Sequence, residues 1–540
     1  MNKRMLIIIT VFFIAITGLS KVTFGQELTQ TIKGRVIDKA NRNPLSGANV
    51  VVKGTDPLMG NATDSEGYFR IEGVPIGRYN IQVTYLGYKP AVIPEVMVGS
   101  GKEVVLNIEL EETVQNMQEI VVSPEIRKDK SQNNMASVSA RRFTVEETRR
   151  YAGGLDDPAR MVSAFSGVTV GNPQDNAIVI RGNAPKGVLW RLEGVDIPTP
   201  SHFPGGNIAG GGFVSIISNQ LLSNSDFYTG AFPAEYGNAL AGVFDIQLRE
   251  GNRDKREFTF QAGLLGIDVS SEGPFVKDKK ATYLFNYRYS TFGLLKDINV
   301  LPTEQIPEYQ DLSFKLNFPT KNAGVFSIWG VGGSDLNVEP EENDSTKWET
   351  TWDRVEYDFK AKMGALGLNH KYIFGEKAYL NSTLALTGKD SDMDMRRLDD
   401  DLELRPVYLV DDNSAKLSLH SFLNYKFNAR HTNKTGIYFK TLFFNQKLAG
   451  ATIEQQPETF RQFVDEKGSG HLTQFYTQSK YQFNSDLNMT LGINAEYFDI
   501  NEDFNLNPRL GLNWQFQPGH SFSLGYGKHT QPEPLKIYFI

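Results

Sequence analysis

The chain has 540 residues, of which 40% are apolar and 11% aromatic, and it contains 49 glycines. This length accommodates several domains, and the aromatic and glycine content favours a β-rich protein with many turns. The formal net charge is −7 without a basic stripe, which argues against nucleic acid as a partner. Because cysteine is absent, disulfides, thiolate metal sites and cysteine nucleophiles are excluded.

The N-terminus has the pattern of a secretory signal peptide. Lys3 and Arg4 precede an apolar run at residues 5–17, and the small residue Gly25 suits cleavage directly after it. We therefore assign residues 1–25 to a signal peptide and expect the mature protein to be exported. No later stretch of about 18 apolar residues predicts a transmembrane helix.

Residues 31–112 predict a small β-sandwich, because short apolar runs alternate with turn residues such as Asn43-Pro44. The runs are 32–37, 48–52, 68–71, 79–85 and 104–110. The segments PLSGANVVVKGT and TDSEGYFRI resemble the carboxypeptidase regulatory-like domain that precedes many outer-membrane receptors. This resemblance implies an accessory domain and no peptidase activity.

A β-prone segment follows at residues 117–124. Its apolar core, 120–122, has no core of its own to join and precedes a polar stretch at 125–139. An exposed strand of this kind can pair with the edge of a partner's sheet. The position resembles that of the TonB box of TonB-dependent receptors, although a plain strand joining two domains is the alternative. The resemblance implies that TonB docks on Met117, Gln118, Glu119, Ile120, Val121 and Val122.

Residues 125–251 predict a small α/β domain. Thr144 and Glu147 fit a capping box, and Asp157-Pro158 begins a second helix that ends at Gly167. The predicted strands are 178–180, 188–192 and 243–248. The blocks DPARMVSAFSGV, NAIVIRGNAPKGVLWRLEGVDIP and FPAEYGNALAGVFDIQLREG resemble, in order and spacing, the plug domain of TonB-dependent receptors.

This stretch contains the candidate functional positions. The glycine-rich loop 205–212 lacks the strand–helix context of a dinucleotide-binding loop, so it is interpreted as the apex of a plug. His202 and Phe203 precede that loop and are candidate ligand contacts, with packing against a barrel wall as the alternative. Two residue pairs are predicted to be structural turns of the plug, namely Arg181-Gly182 and Glu193-Gly194.

From Arg256 onward the sequence predicts an antiparallel transmembrane β-barrel. Apolar and polar residues alternate most clearly in 415–428, 471–484 and 488–500. Short and long links also alternate, as expected when turns and loops lie at opposite ends of an outer-membrane barrel, and a soluble sandwich has no reason to do this. The predicted strands are 256–272, 281–291, 309–318, 324–333, 356–374, 378–388, 415–428, 434–447, 471–484, 488–500, 506–517 and 520–529.

About 12 strands are thus predicted, whereas plugged outer-membrane transporters have about 22. Because lipid does not tolerate open sheet edges, we expect residues 255–540 to be a partial barrel and the chain to be a fragment or a truncated product.

No catalytic or metal-binding pattern is recognised. The seven histidines are scattered without HExxH spacing, and neither a GxSxG elbow nor a complete phosphate loop occurs. Asp390, Asp392 and Asp394 have the spacing of a calcium loop, but Met395 stands where the loop needs glycine. We interpret 389–401 as an acidic external loop, with loose divalent-cation binding shared with lipopolysaccharide as the alternative. We predict no catalytic residue, no metal site and no cofactor.

The resemblance implies a receptor in the outer membrane of a Gram-negative cell. It would bind an external solute and import it through the plugged barrel with energy transmitted from the inner membrane. Its partners would be TonB at the periplasmic face, outer-membrane lipid, the solute, and a surface lipoprotein that captures the solute. The alternatives are an outer-membrane signalling receptor or adhesin without transport, and a secreted soluble β-rich enzyme.

Overall fold

The computed structural model describes residues 28–114, 131–143, 145–151, 154, 157–171, 176–204, 211–263, 266–298, 300, 307–452, 459–517 and 519–539. Strands dominate three successive units: a sandwich, a central α/β unit and a 13-stranded sheet. The assigned signal peptide, 1–25, and the predicted docking segment, 117–124, lie outside the described residues. Among the described residues, no helix is long and apolar enough to cross a membrane.

The first unit is a β-sandwich with a three-stranded and a four-stranded sheet. Its core includes Val50, Val52 and Val83, none of which is exposed. All five predicted runs form strands, and two further strands, β3 and β6, were not predicted. Strand β3 (MGNA) has no apolar alternation, and β6 contains Pro94, which is tolerated there because β6 is an edge strand. The strands are β1 Thr29–Asp38, β2 Asn49–Lys53, β3 Met59–Ala62, β4 Tyr68–Pro75, β5 Gly77–Thr84, β6 Ala91–Val98 and β7 Val104–Leu110.

The central unit, residues 131–251, is built on a five-stranded mixed sheet, whose strands in spatial order are 195–196, 188–192, 242–246, 225–228 and 140–143. Its core is closed by Trp190, which stacks on Phe244 with ring centroids 4.0 Å apart. The strands are β8 Ala140–Phe143, β9 Val168–Val170, β10 Ile178–Ile180, β11 Val188–Leu192, β12 Val195–Asp196, β13 Ser201–His202, β14 Val214–Ser215, β15 Ser225–Tyr228 and β16 Gly242–Ile246.

Two short helices, α1 Val145–Arg150 and α2 Pro158–Met161, pack on this unit. The Asp157 carboxylate caps α2 by accepting from the Ala159 N–H, as the sequence predicts. The α-helix is only one turn long and continues as the 3₁₀ turn Val162–Ala164, before Gly167 takes a φ of +78°. Thr144, the predicted cap of α1, lies outside the described residues.

Thirteen strands, each antiparallel to the next, form the third unit. Its outer face is apolar and its inner face polar: Leu417 and Leu419 are 44% and 45% exposed, whereas Ser418 and His420 are fully buried. This confirms the predicted alternation. The strands are β17 Glu257–Ala262, β18 Ile267–Pro274, β19 Thr282–Tyr289, β20 Glu308–Pro319, β21 Val325–Glu339, β22 Val355–Phe374, β23 Ala378–Leu398, β24 Leu404–Asn428, β25 His431–Thr452, β26 Thr459–Gln482, β27 Leu487–Phe498, β28 Asp503–Gln517 and β29 His520–Gly527; helix α3, Thr291–Asp297, follows β19.

Several strand predictions are wrong in extent. Residues 256–272 form two strands rather than one, because the Gly263 N–H donates to the Gly266 carbonyl and closes a hairpin. The segments predicted as long loops at 389–414 and 448–470 are largely strand. Apolar and polar residues do not alternate strictly through these segments, so the period-two signal ends while backbone pairing continues. Asp390, Asp392 and Asp394 therefore lie on β23 and not in a loop.

Candidate functional site: contacts between the central unit and the 13-stranded sheet

His202 connects the central unit to β20 and β21, near the ends of these strands that lie away from the short turn joining them. The short β13–β14 hairpin carries it into the space between Asp311 and Asp335. Its Nε2 lies 3.0 Å from Asp311, its Nδ1 contacts Asp335, and the side chain is fully buried. Burial alone would lower the pKa of His202, but hydrogen bonds to the two carboxylates outweigh it and raise the pKa. We term this group of His202, Asp311 and Asp335 the His202 clasp.

Phe203 extends the same contact. Its N–H donates to Asp335 at 2.8 Å, and its ring centroid lies 6.3 Å from those of Tyr309 and Phe359. The φ of Phe203 is +53°, so the backbone turns away directly after His202. Both side chains pack against the sheet wall, which is the alternative that the sequence left open. That they contact a ligand stays a prediction.

Arg191, near the end of β11, is surrounded by ionisable groups. Its guanidinium lies 3.7 Å from Glu235, 3.1 Å from Nδ1 of His420 and 5.0 Å from the ring centre of Tyr236. Glu235 is also paired with Lys434 of β25. Burial raises the pKa of Glu235, but Lys434 and Arg191 more than offset this and lower it, so the carboxylate is ionised.

A second buried pair joins β12 to β25. The carboxylate of Asp196 accepts from Lys440, and the two side chains are only 5% and 2% exposed. The Asp196 N–H also donates to the hydroxyl of Tyr438. Burial raises the pKa of Asp196, and the neighbouring Lys440 lowers it below its usual range. This pair therefore holds two opposite charges in a site closed to water.

The two predicted turn pairs occupy left-handed backbone. Arg181 and Gly182 have φ values of +51° and +81°, and Glu193 and Gly194 have +49° and +90°. Arg181 hydrogen-bonds within the central unit, to Ser139 at 3.0 Å. The Glu193 carboxylate in addition accepts from Lys315 of β20 at 2.9 Å, a contact with the sheet that the turn prediction did not include.

Sequence reasoning missed most residues of this site, namely Arg191, Asp196, Glu235, Asp311, Lys315, Asp335, Lys434 and Lys440. The inward polar face of an alternating strand was the available signal, and it did place His420 inward. This alternation does not identify which acidic residue pairs with which basic residue, because partners such as Asp196 and Lys440 are 244 residues apart in the chain.

Together these groups attach the central unit to the surrounding wall through buried charges. Removing one partner of such a pair is strongly unfavourable, whereas separating both into water restores their hydration. These ion pairs can thus hold the unit firmly and still break and re-form when both charged groups become hydrated. Within the described residues, no group of three or more His, Asp or Glu side chains is arranged to hold a metal ion.

Comparison with known proteins gives the same architecture. Residues 31–111 match the carboxypeptidase regulatory-like domain, and residues 286–539 match the TonB dependent receptor-like β-barrel. The TonB-dependent transporter Oar of Myxococcus xanthus is 25% identical over 232 residues, which are 42% of this chain and 21% of Oar.

Two solved structures share the fold. The outer membrane transporter YddB from Escherichia coli has a TM-score of 0.51 and 12% identity, over 73% of this chain and 61% of YddB. The siderophore receptor PirA from Acinetobacter baumannii has a TM-score of 0.52 and 13% identity, over 74% and 62%. The chain thus spans about a fifth of the curated relative and less than two thirds of these two structures. Residues 286–539 thus belong to the TonB dependent receptor-like β-barrel family, and residues 31–111 in front of the central unit to the carboxypeptidase regulatory-like domain family.

Proposed function

We propose that this protein binds an external solute at the outer membrane and imports it through the barrel, using energy that TonB transmits from the inner membrane. The central unit is then the plug. The observation that carries the proposal is the set of buried charge pairs between plug and wall, typified by Asp196–Lys440 and Glu235–Lys434. Such contacts hold the plug closed at rest and can re-form after it has moved.

The order of the contacts along the barrel supports a path for the solute. The short turns of the sheet, such as 375–377 and 429–430, lie at one end, which would face the periplasm. The His202 clasp lies toward the opposite end, which would face outward, because Asp311 and Asp335 are near the ends of β20 and β21 that lie away from these turns. A solute that displaces Phe203 or His202 would therefore act directly on the plug.

TonB would act from the other end, by adding residues 117–122 as a strand to its own sheet and pulling. No covalent step is involved, so we expect no enzyme activity and no cofactor. A surface lipoprotein that captures the solute fits the same scheme, as does a lipid environment around the apolar outer face. An outer-membrane signalling receptor or adhesin is the alternative function.

Deleting residues 117–124 from the full-length protein tests this proposal. We expect solute uptake to be lost while surface binding of the solute is unchanged. The matched control is a deletion of equal length, residues 123–130, which leaves the Met117–Val122 sequence intact and should retain uptake. Uptake at the unmodified rate after the first deletion would refute energy coupling through this segment. Binding without uptake in every variant, including the unmodified protein, would favour the signalling or adhesion alternative.

A further inference from the structure

The sandwich lies across the short-turn end of the barrel and contacts it around a wide arc. Glu66 is paired with Lys280 at 2.7 Å, beside the turn that follows β18. The Asn41 amide donates to the carbonyl of Glu376, in the turn between β22 and β23, at 2.8 Å. Further contacts, with β24 and β26, include Lys426 with Asp38 at 2.6 Å and with Glu112 at 2.7 Å, and Gln482 and Lys480 with Glu111 at 2.9 and 3.5 Å.

A buried polar group secures the sandwich at the point where the plug leads into β17. Lys33 lies 2.6 Å from Glu103 and donates to the amide oxygen of Asn252 at 2.6 Å. The Asn252 amide donates in turn to Glu103 at 3.1 Å, and the Glu103 side chain is 3% exposed. Burial raises the pKa of Glu103, but hydrogen bonds from Lys33 and Asn252 lower it to about 2. The interface therefore stays charge-paired at neutral pH.

A cavity of about 1910 Å³ lies between the sandwich, the plug and the barrel wall. Glu109 lines it from the sandwich, Ser223 and Gln247 from the plug, and Asn369 and Lys371 from the wall. The sandwich thus borders it on the side of the short turns. We refer to it as the chamber.

We propose that the sandwich is a lid that closes the chamber below the plug and must undock before a solute can leave the barrel. The chain supplies a means of release. In the sequence, residues 117–122 lie between Glu112, which is paired with Lys426, and Ser131, whose hydroxyl donates to Asp226 of the plug at 2.5 Å. A pull on this segment therefore acts on the lid and on the plug together. The inference rests on the proposed transport function for what the lid controls, but not for the existence of the lid.

The first test measures access to the chamber and needs no transport. Because the chain has no cysteine, Ser223→Cys places a single thiol in the chamber. The rate at which a maleimide on a large poly(ethylene glycol) modifies it is compared with and without K280E/K426E/K480E, which reverses three barrel charges and leaves the sandwich sequence unaltered. We expect labelling at least tenfold faster in the charge-reversed protein. Equal rates would overturn the proposal.

Ser418→Cys is the control for correct folding, because position 418 is fully buried in β24 and does not line the chamber. Its labelling rate should be the same in both backgrounds. A faster rate there in the charge-reversed protein would show general unfolding, and the result at Ser223→Cys would then count against a specific lid.

The second test links the lid to the barrel. Glu66→Cys and Lys280→Cys replace an exposed ion pair, so a reducible bis-maleimide can join them without entering the core. We expect cross-linking to stop uptake and reduction to restore it, while either single variant transports normally. Continued uptake with the lid linked would overturn the proposal. If the unmodified protein imports nothing, the proposed function fails, and the labelling rates still decide whether the sandwich closes the chamber.

Discussion

Removing the positive charge of Lys440 should release the plug from the barrel wall. Lys440 and Asp196 are 2% and 5% exposed, so Lys440→Met retains the apolar stem but leaves a buried carboxylate without its main partner. Breaking a buried pair in this way costs about 3–5 kcal/mol. With a urea m-value of about 2 kcal/mol per M, the midpoint of plug unfolding should fall by roughly 2 M. Pulse proteolysis across a urea series, on protein in outer-membrane vesicles, measures this midpoint.

The matched variant removes both charges. Replacing a buried pair by apolar side chains is often nearly neutral, so Asp196→Ala/Lys440→Met should unfold within about 1 kcal/mol of the unmodified protein. The double-mutant cycle then gives a large coupling energy between the two residues. A single-variant shift below about 0.5 M, or a double variant damaged by the sum of the two single effects, would refute the account of these contacts as charge-paired.

Two further predictions concern the ends and the outer face of the barrel. Raising the pH from 6 to 9 should lower the urea midpoint of plug unfolding. Asp311 and Asp335 raise the pKa of His202, so protonated His202 stabilises the plug fully below the ordinary histidine pKa of about 6.5. This stabilisation is lost as the pH rises through the raised pKa. Tyr309 also lies against the His202 ring, and Arg288 is paired with Asp311 at 2.7 Å. His202→Gln, which should flatten the profile between pH 6 and 9, is therefore the control; an equally steep profile would exclude the clasp as its source. Leu386 is 53% exposed on the outward face of β23, so Leu386→Lys should destabilise the barrel in vesicles by about 2–4 kcal/mol. Leu402→Lys, in the turn after β23, is the control and should leave the stability unchanged. Equal effects of the two substitutions would contradict a lipid-facing surface at Leu386.

The sequence predicts those parts of the fold in which the polarity of each residue reflects its immediate surroundings. In β24, alternation alone separates Leu417 and Leu419, which face outward, from His420, which faces the plug. The signal is lost where the surroundings become water on both sides, which is why residues 389–398 were predicted as loop although they continue β23. Local backbone chemistry was also sufficient for Asp157, because its cap involves only the next two residues.

The candidate site was much less predictable, because its partners are distant in the chain. His202 is a plausible contact residue from its position in an apical loop, but Asp311 and Asp335 become its neighbours only through the register of β20 and β21. The docking of the sandwich has the same origin. Lys280 and Glu66 are ordinary surface charges in the sequence, and only the placement of two folded units joins them.

Energy coupling through residues 117–122 is the central claim, and the most direct test of it is the binding of purified TonB to the receptor in outer-membrane vesicles. Strand addition uses the backbone N–H groups of the added segment, and proline has none. The account predicts that Val121→Pro abolishes binding, while Val121→Ile, which keeps the N–H and a β-branched side chain, binds with an unchanged Kd. Binding of the Val121→Pro protein at the unmodified Kd would contradict it.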